Sequence, residues 1–166
     1  CKEILKVLLD LGRIEEMDLE PLDLRRSVEC AVRRMRPQVK ERGAGLTLKG
    51  LETPMESRGD ESLIQEALCA LLQNAVEAVR RSGHIRVEAA TLGGRHLVSV
   101  IDDGAGVARE DQEKIFEPFF TTKTAGSGLG LSSALRIAQK HGGTIEVESG
   151  GIWLGCRFTL ILPAKG

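Results

Sequence analysis

A chain of 166 residues is long enough for one domain with an ordinary hydrophobic core, and 42% hydrophobic with 28% charged residues is typical of a soluble globular protein. The net charge of -1 and the aromatic content of 3%, with no tyrosine, argue against nucleic acid or an anionic membrane as a partner. No apolar run approaches the roughly 20 residues of a membrane-spanning helix, and the four cysteines form no CxxC pair, so we expect free thiols in a reducing cytoplasm.

The first residues of the chain carry apolar side chains at alternating three- and four-residue steps. These residues are Cys1, Ile4, Leu8 and Leu11. The spacing predicts a helix that packs either against a partner helix or on the domain's own core, and the pattern leaves both open. Acidic residues and Pro21 then interrupt it, so we expect residues 1–20 to be a helix end with a linker and residues 21–166 to be the domain.

Two amphipathic helices are predicted next, with a short strand between them. The first has Asp23 as its N-cap and Gly43 beyond its end. The strand covers residues 46–48, where apolar and polar side chains alternate. The second helix begins after Asp60, ends at residues 82–83 and is predicted to be the longest of the chain.

The second half of the chain alternates strands with one helix. The predicted elements are strands over 85–89, 97–101, 144–148 and 157–163, and a helix over 129–141. Two adjacent glycines at 93–94 predict a hairpin between the first two of these strands, and the segment 54–59 upstream is predicted as a turn. The simplest architecture for this order is α+β, with three helices on one face of a mixed, mostly antiparallel sheet of about five strands.

Two glycine clusters, separated by a long connection, lie between residues 102 and 131. Asp102 ends a near-continuous apolar strand, where its carboxylate can accept a hydrogen bond from an exocyclic amine, and Gly104 and Gly106 follow it. The second cluster, over residues 126–131, opens a helix whose free N–H groups and dipole favour phosphate oxygens. Each cluster alone is typical of a turn, but together and in this order they predict a nucleotide pocket.

These motifs, with Asn74 in the preceding helix, resemble the ATP-binding catalytic domain of sensor histidine kinases, a branch of the GHKL ATPases. The resemblance covers roughly residues 20–163 and implies the two-layer α/β sandwich called the Bergerat fold, with a long ATP lid. It implies that Asp102 holds the adenine amino group. It also implies that Asn74 coordinates the Mg²⁺ that bridges the triphosphate, whereas the structural alternative is a buried asparagine satisfied by a neighbouring loop.

ATP and Mg²⁺ are the cofactors that the resemblance implies. Asn74 and Lys123 are the implied catalytic residues, and Asn74 is also the implied metal ligand. The implied nucleotide contacts are Asn74, Glu77, Asp102, Gly104, Gly106, Phe116, Phe119, Thr122, Lys123, Gly126, Ser127, Gly128, Leu129 and Gly130.

The connection between the two glycine clusters is long for a compact domain, which indicates a lid. Phe116, Phe119 and Phe120 are expected to latch this lid, with a satellite core cluster as the alternative. Lys123 is the best-placed cation for phosphate charge.

The chain departs from the family pattern at two positions near Asn74. Kinases usually have a second asparagine four residues earlier, and hydrolytic relatives have a glutamate that activates water, but this chain has Ala70. Many kinases have a lysine three residues after the asparagine, where this chain has Glu77. The resulting motif is similar to that of a subgroup which includes nitrogen-regulation sensor kinases.

None of the three histidines fits the His-Glu-x-x-x-x-Pro setting of a phosphoacceptor. His84 and His96 are predicted at exposed strand edges, and His141 at a helix C-terminus. The resemblance therefore implies transfer of the ATP γ-phosphoryl group to a histidine on an upstream helical hairpin that this chain lacks. It implies that hairpin and a response regulator as partners, a homodimeric full-length protein and a monomeric fragment, with no nucleic acid and no membrane contact.

Three other functions remain open at this point. A hydrolytic GHKL ATPase is disfavoured by Ala70, because the expected general base is missing. A serine kinase of an anti-sigma switch is disfavoured by the N-terminal helix and by the phenylalanine-rich lid. A degenerate module that binds only protein partners is disfavoured by the presence of Asn74, Asp102 and both glycine clusters.

Overall fold

The computed structural model describes residues 2–121 and 128–165. The helices in this part of the chain are α1 (Lys2–Glu15), α2 (Leu24–Arg42), α3 (Glu61–Ala78) and α4 (Gly130–Lys140). The strands are β1 (Glu20–Asp23), β2 (Gly45–Lys49), β3 (Glu56–Gly59), β4 (His84–Leu92), β5 (Arg95–Asp102), β6 (Thr144–Glu148) and β7 (Cys156–Pro163). Helices α2, α3 and α4 cover one face of a five-stranded sheet, which confirms the predicted α+β sandwich.

The main sheet has the strand order β2-β4-β5-β7-β6. Only the pair β2-β4 is parallel among these strands, and the other three pairs are antiparallel. Alternate residues of the central strands point toward the helices and are buried. They are Ile85, Val87, Val98, Val100, Phe158, Leu160 and Leu162. Because β5 ends where β7 begins, Asp102 and Cys156 are register partners at one edge of this core.

The helix boundaries follow from the caps that the sequence predicts. The Asp23 side chain accepts a hydrogen bond from the Arg25 N–H at the start of α2, and Gly43 ends this helix in the left-handed conformation. Asp60 caps α3 through the Leu63 N–H. Helix α2 has 19 residues and α3 has 18, so the prediction that α3 is the longest helix was wrong.

Helix α3 also ends earlier than predicted, at Ala78 instead of residues 82–83. Val79 is extended, and the Ala78 carbonyl accepts a hydrogen bond from the Ala105 N–H at 3.0 Å. An N–H group of the loop after β5 thus hydrogen-bonds to one of the last carbonyl groups of the helix. A local sequence pattern cannot indicate such a contact.

Strands β1 and β3 were not predicted; they form a separate two-stranded antiparallel sheet. Each has four residues; β1 has two acidic residues with Pro21 and Leu22 between them, and β3 has no large apolar residue, so neither carries an alternating apolar pattern. Pairing between distant segments, not local propensity, makes these residues extended. The predicted linker therefore ends in a strand, and the predicted turn over 54–59 contains one.

His96 is buried, contrary to the predicted exposed position. Its Nδ1 lies 2.8 Å from the Thr91 hydroxyl and its Nε2 lies 2.8 Å from the Glu56 carbonyl. The contact with β3 covers the imidazole ring. The burial of His96 was therefore not predicted for the same reason as the β1-β3 sheet: both depend on contacts between distant segments. His141 is also buried, and its Nε2 accepts a hydrogen bond from the Asp60 N–H at the start of α3.

No helix among residues 2–121 and 128–165 combines the length and the apolarity that crossing a lipid bilayer requires.

Replacement of Asp23 by alanine is expected to destabilise the fold by about 1–2 kcal/mol at neutral pH. Burial alone would raise the pKa of this carboxyl, but hydrogen bonds from the Met55 and Arg25 N–H groups and the Arg25 guanidinium lower it overall. The stabilisation is therefore present above the unfolded-state pKa and is lost as the pH falls through the lower folded-state pKa.

Urea unfolding from pH 7 down to pH 2 or so checks this prediction, with Asp18→Ala as the control for loss of an exposed carboxylate. The difference between Asp23→Ala and the wild type should shrink as the solution is acidified. A difference that stays constant with pH would assign the effect to something other than the charged carboxylate.

Candidate functional site

A cavity of about 480 Å³ opens between α3, the end of β5, the start of α4 and the loop that joins β6 to β7. This volume lies in the range of small-molecule sites. Ala70, Gln73, Asn74 and Glu77 on α3 line one side, and Asp102 lies at the end of β5. Helix α3, β5 and α4, which are distant in sequence, thus bring part of the predicted nucleotide set to one cavity: Asn74, Glu77, Asp102, Gly128 and Gly130.

Asp102 is 5% exposed and lines the cavity. One carboxylate oxygen accepts a hydrogen bond from the Gly104 N–H at 2.9 Å, which fixes the orientation of the group. Burial, with the nearby Asp102 carboxylate as a second cause, raises the pKa of the Cys156 thiol to about 12. The site therefore holds a buried, oriented hydrogen-bond acceptor beside a neutral thiol, and this suits recognition of an exocyclic amine.

Gly104 and Gly106 shape the wall beside this carboxylate. A β-carbon at Gly104 would overlap the Ala78 carbonyl group at the end of α3, so only glycine fits there. Gly106 has φ +68°, and a β-carbon there would overlap the Gly151 carbonyl. Gly106 lines the cavity, whereas Gly104 does not. Gly104 instead allows the loop after β5 to pack closely against the end of α3.

The cavity-facing side of α3 carries the oxygen donors. Asn74 is half-buried there, and Glu77, one turn further along, is exposed and accepts a hydrogen bond from the Gln73 amide at 2.9 Å. Ala70, on the same side, contributes only a methyl group. Within the described residues no group of three His, Cys, Asp or Glu side chains could hold a metal ion. Asn74 and Glu77 line the cavity and carry side-chain oxygens, which are the ligand type that Mg²⁺ prefers.

The start of α4 forms the opposite end of the cavity. Gly128, Gly130 and Leu131 line it, while Leu129 is 3% exposed and is not among the lining residues. The free N–H groups of the first turn of α4 therefore lie at the cavity, as a phosphate site requires. The predicted contacts Thr122, Lys123, Gly126 and Ser127 lie outside the described residues.

The three phenylalanines of the lid have different environments. Phe116 packs edge-to-face on Phe158, with ring centroids 6.2 Å apart, and joins the core. Phe119 is 49% exposed, has φ +68° and donates its N–H to the Gly128 carbonyl. Phe120 lines the cavity, although it was not among the predicted nucleotide contacts, whereas Phe116 and Phe119 do not line it.

Sequence reasoning missed Lys6, whose side chain lines the cavity and is the only Lys or Arg side chain among its described lining residues. Ion pairs place α1 along the other helices: Arg13 contacts Glu66 on α3, and Glu15 contacts Arg136 and Lys140 on α4. Lys6 lies about 10 Å along α1 from Arg13, toward the N-terminus of the helix, and it lines the cavity that the start of α4 also lines. No local signal predicts this, since it depends on how α1 docks.

Trp153 was missed as well. It lies in the loop between β6 and β7 and lines the cavity together with Ile152. A large aromatic side chain flanked by glycines at 150, 151 and 155 was a usable signal in the sequence.

Comparison with known proteins gives a consistent result. The family described as "Histidine kinase-, DNA gyrase B-, and HSP90-like ATPase" matches residues 59–166. The sensor histidine kinase ZraS of Escherichia coli O157:H7 is 34% identical over 162 residues, which cover 98% of this chain and 35% of ZraS. The nitrogen regulation protein NtrY of Azorhizobium caulinodans is 37% identical over 119 residues, which cover 68% of this chain and 15% of NtrY.

Among solved structures, the catalytic domain of the histidine kinase ThkA in a nucleotide-free form has a TM-score of 0.80 and 30% identity. The match covers 89% of this chain and 96% of that domain. The chain spans about a third of the length of ZraS and less of NtrY. The predicted resemblance, including its nitrogen-regulation branch, is confirmed by these relatives.

Proposed function

Because the chain belongs to the family of histidine kinase-, DNA gyrase B- and HSP90-like ATPases, we propose that it is the ATP-binding catalytic domain of a sensor histidine kinase. In this proposal it transfers the γ-phosphoryl group of ATP to a histidine on a helical hairpin. The observation that carries the proposal is the buried Asp102 carboxylate in a cavity whose other end is the N-terminus of α4. A base-recognising acceptor and an anion-binding helix end in one cavity match the two halves of an adenine nucleotide.

The base end of the site is proposed to recognise the adenine amino group through Asp102, which excludes guanine because its carbonyl would face the carboxylate. At the phosphate end, the first N–H groups of α4 bind phosphate oxygens. Asn74 is proposed to hold the Mg²⁺ that would neutralise the triphosphate. Glu77 would lie at the edge of the coordination shell of that ion. Lys123 was the expected cation here, and Lys6 provides a second one from α1.

Phosphoryl transfer needs little covalent chemistry from the protein, so the residues act by positioning and by charge neutralisation. ATP supplies the phosphoryl group, and the partner hairpin supplies the accepting imidazole. Ala70 places a methyl group where hydrolytic relatives need a glutamate. Glu77, the carboxylate of α3 among the described residues that line the cavity, is hydrogen-bonded to Gln73. This arrangement favours transfer to a partner over hydrolysis of ATP.

The exposed face of α1 supports the proposal that it belongs to a dimerisation hairpin. Four apolar side chains on this helix are 56–60% exposed: Ile4, Leu5, Leu8 and Leu9. Among the side chains of α1 that the structure describes, Ile14, near the end of the helix, is the one buried in the domain core. A helix with so much uncovered apolar surface fits packing on further helices of the hairpin, and a homodimeric full-length protein follows from that. We further propose that a response regulator is the next phosphate acceptor. We also propose that the domain works in the cytoplasm, where ATP is available.

Calorimetric titration of the chain with ATP, ADP and GTP, each with Mg²⁺ or with EDTA, tests this function. We expect saturable binding of ATP and ADP, no binding of GTP, weaker ATP binding in EDTA and no appreciable release of phosphate. Release of phosphate at a steady rate would favour a hydrolytic ATPase. Absence of nucleotide binding would favour the module that binds only protein partners.

A further inference from the structure

Trp153 occupies a strained position at the mouth of the cavity. Its φ is +63°, a conformation that bulky side chains rarely adopt and that costs energy unless the surroundings enforce it. The Trp153 N–H donates to the Ala105 carbonyl at 2.7 Å, and the Gly155 N–H donates to the Gly104 carbonyl at 3.2 Å. The β6-β7 loop is therefore fixed on the loop that follows Asp102, and the strain at Trp153 is maintained by these contacts.

Arg80 holds the indole of Trp153 from one side. The guanidinium carbon lies 3.9 Å from the ring centroid, a cation–π contact, and Arg80 is not among the described residues that line the cavity. Trp153 itself does line the cavity. Trp153 is still 53% exposed, although an aromatic side chain of this size gains most from being covered.

The indole lies at the Asp102 end of the cavity. Trp153 precedes Cys156 by three residues, and Cys156 is the register partner of Asp102. The backbone contact of Trp153 with Ala105 places it on the same side. We propose that Trp153 is a base-contacting residue: its indole packs against the purine that the Asp102 carboxylate recognises, and Arg80 and the strained backbone hold the indole ready for it. This inference rests on the proposed function.

The chain offers a direct test, because Trp153 is its only tryptophan and it has no tyrosine. Intrinsic fluorescence therefore reports this one side chain. Titration of the wild-type chain with ADP should change the emission and saturate at the same dissociation constant as calorimetry. Calorimetric binding of ADP with an unchanged emission spectrum would overturn the assignment of Trp153.

Variants provide a second, independent measurement. Trp153→Leu should weaken ADP binding in calorimetry about 10-fold or more, since a base stacked on an aromatic ring loses that much on truncation, while Trp153→Phe should keep most of the affinity. Leu154→Ala is the matched control, because Leu154 lies in the same loop, is 71% exposed and does not line the cavity. Thermal melts followed by circular dichroism establish that each variant is folded.

The outcomes separate the inference from the function on which it rests. Wild-type affinity in Trp153→Leu would overturn the role of Trp153 and leave the ATP-binding function standing. Equal weakening in Trp153→Leu and Leu154→Ala would point to the loop and not to the indole, which also overturns it. Failure of the wild-type chain to bind any nucleotide would overturn both.

Discussion

Replacement of Asp102 by asparagine is expected to abolish selective binding of adenine nucleotides, with a loss of affinity of at least about 100-fold, while the domain stays folded. The substitution keeps the shape of the side chain, and its carbonyl oxygen can still accept the hydrogen bond from the Gly104 N–H. The amide nitrogen, however, presents hydrogen atoms where the carboxylate presents lone pairs. A donor would then face the donor of the adenine amino group in a site that is 5% exposed, where water cannot compensate.

Calorimetry with ADP measures the loss, and a thermal melt measures the fold. Asp103→Asn is the matched control, because it removes the same charge from the next residue, which is exposed and contacts the His84 N–H instead of the cavity. We expect Asp103→Asn to bind ADP like the wild type. Micromolar ADP affinity in Asp102→Asn would contradict the assignment of Asp102 to the base.

The parts of the fold that could be predicted are those with local causes. The caps at Asp23 and Asp60 and the glycine at position 43 set helix boundaries within a few residues, because each acts on the neighbouring backbone. The strands β4 and β5 were predictable from the alternating apolar residues of β4, from the apolar run of β5 and from the glycine hairpin between them. Asp102 was found for the same reason, since it directly ends one of these runs.

The parts that escaped prediction are made by contacts between distant segments. Strands β1 and β3 exist through pairing with each other, and the burial of His96 depends on β3. Lys6 reaches the cavity only because α1 docks on α3 and α4 through exposed ion pairs. Trp153 lies in a loop outside the motifs around Asn74 and Asp102 that carry the family resemblance, so the resemblance did not predict it.

Replacement of Gly104 by alanine is expected to destabilise the domain by about 3 kcal/mol and to abolish nucleotide binding with it. The added β-carbon would overlap the Ala78 carbonyl group and lie 2.8 Å from the Val79 nitrogen. Both neighbours are backbone atoms at the end of α3, so no flexible side chain can move aside. The loop would have to leave α3, and the Gly104 N–H that orients the Asp102 carboxylate would leave with it.

Gly130→Ala is the matched control, because the two glycines differ in what surrounds them. A β-carbon at Gly130 would lie 3.8 Å from the Ala70 methyl carbon, an ordinary van der Waals contact, and alanine suits a helix better than glycine. Urea unfolding should therefore give Gly130→Ala the stability of the wild type or slightly more. Any fall in its ATP affinity would then come from the phosphate end of the cavity and not from the fold. Wild-type stability in Gly104→Ala would mean that the loop after β5 does not pack against α3, and the position of Asp102 would have to be assigned anew.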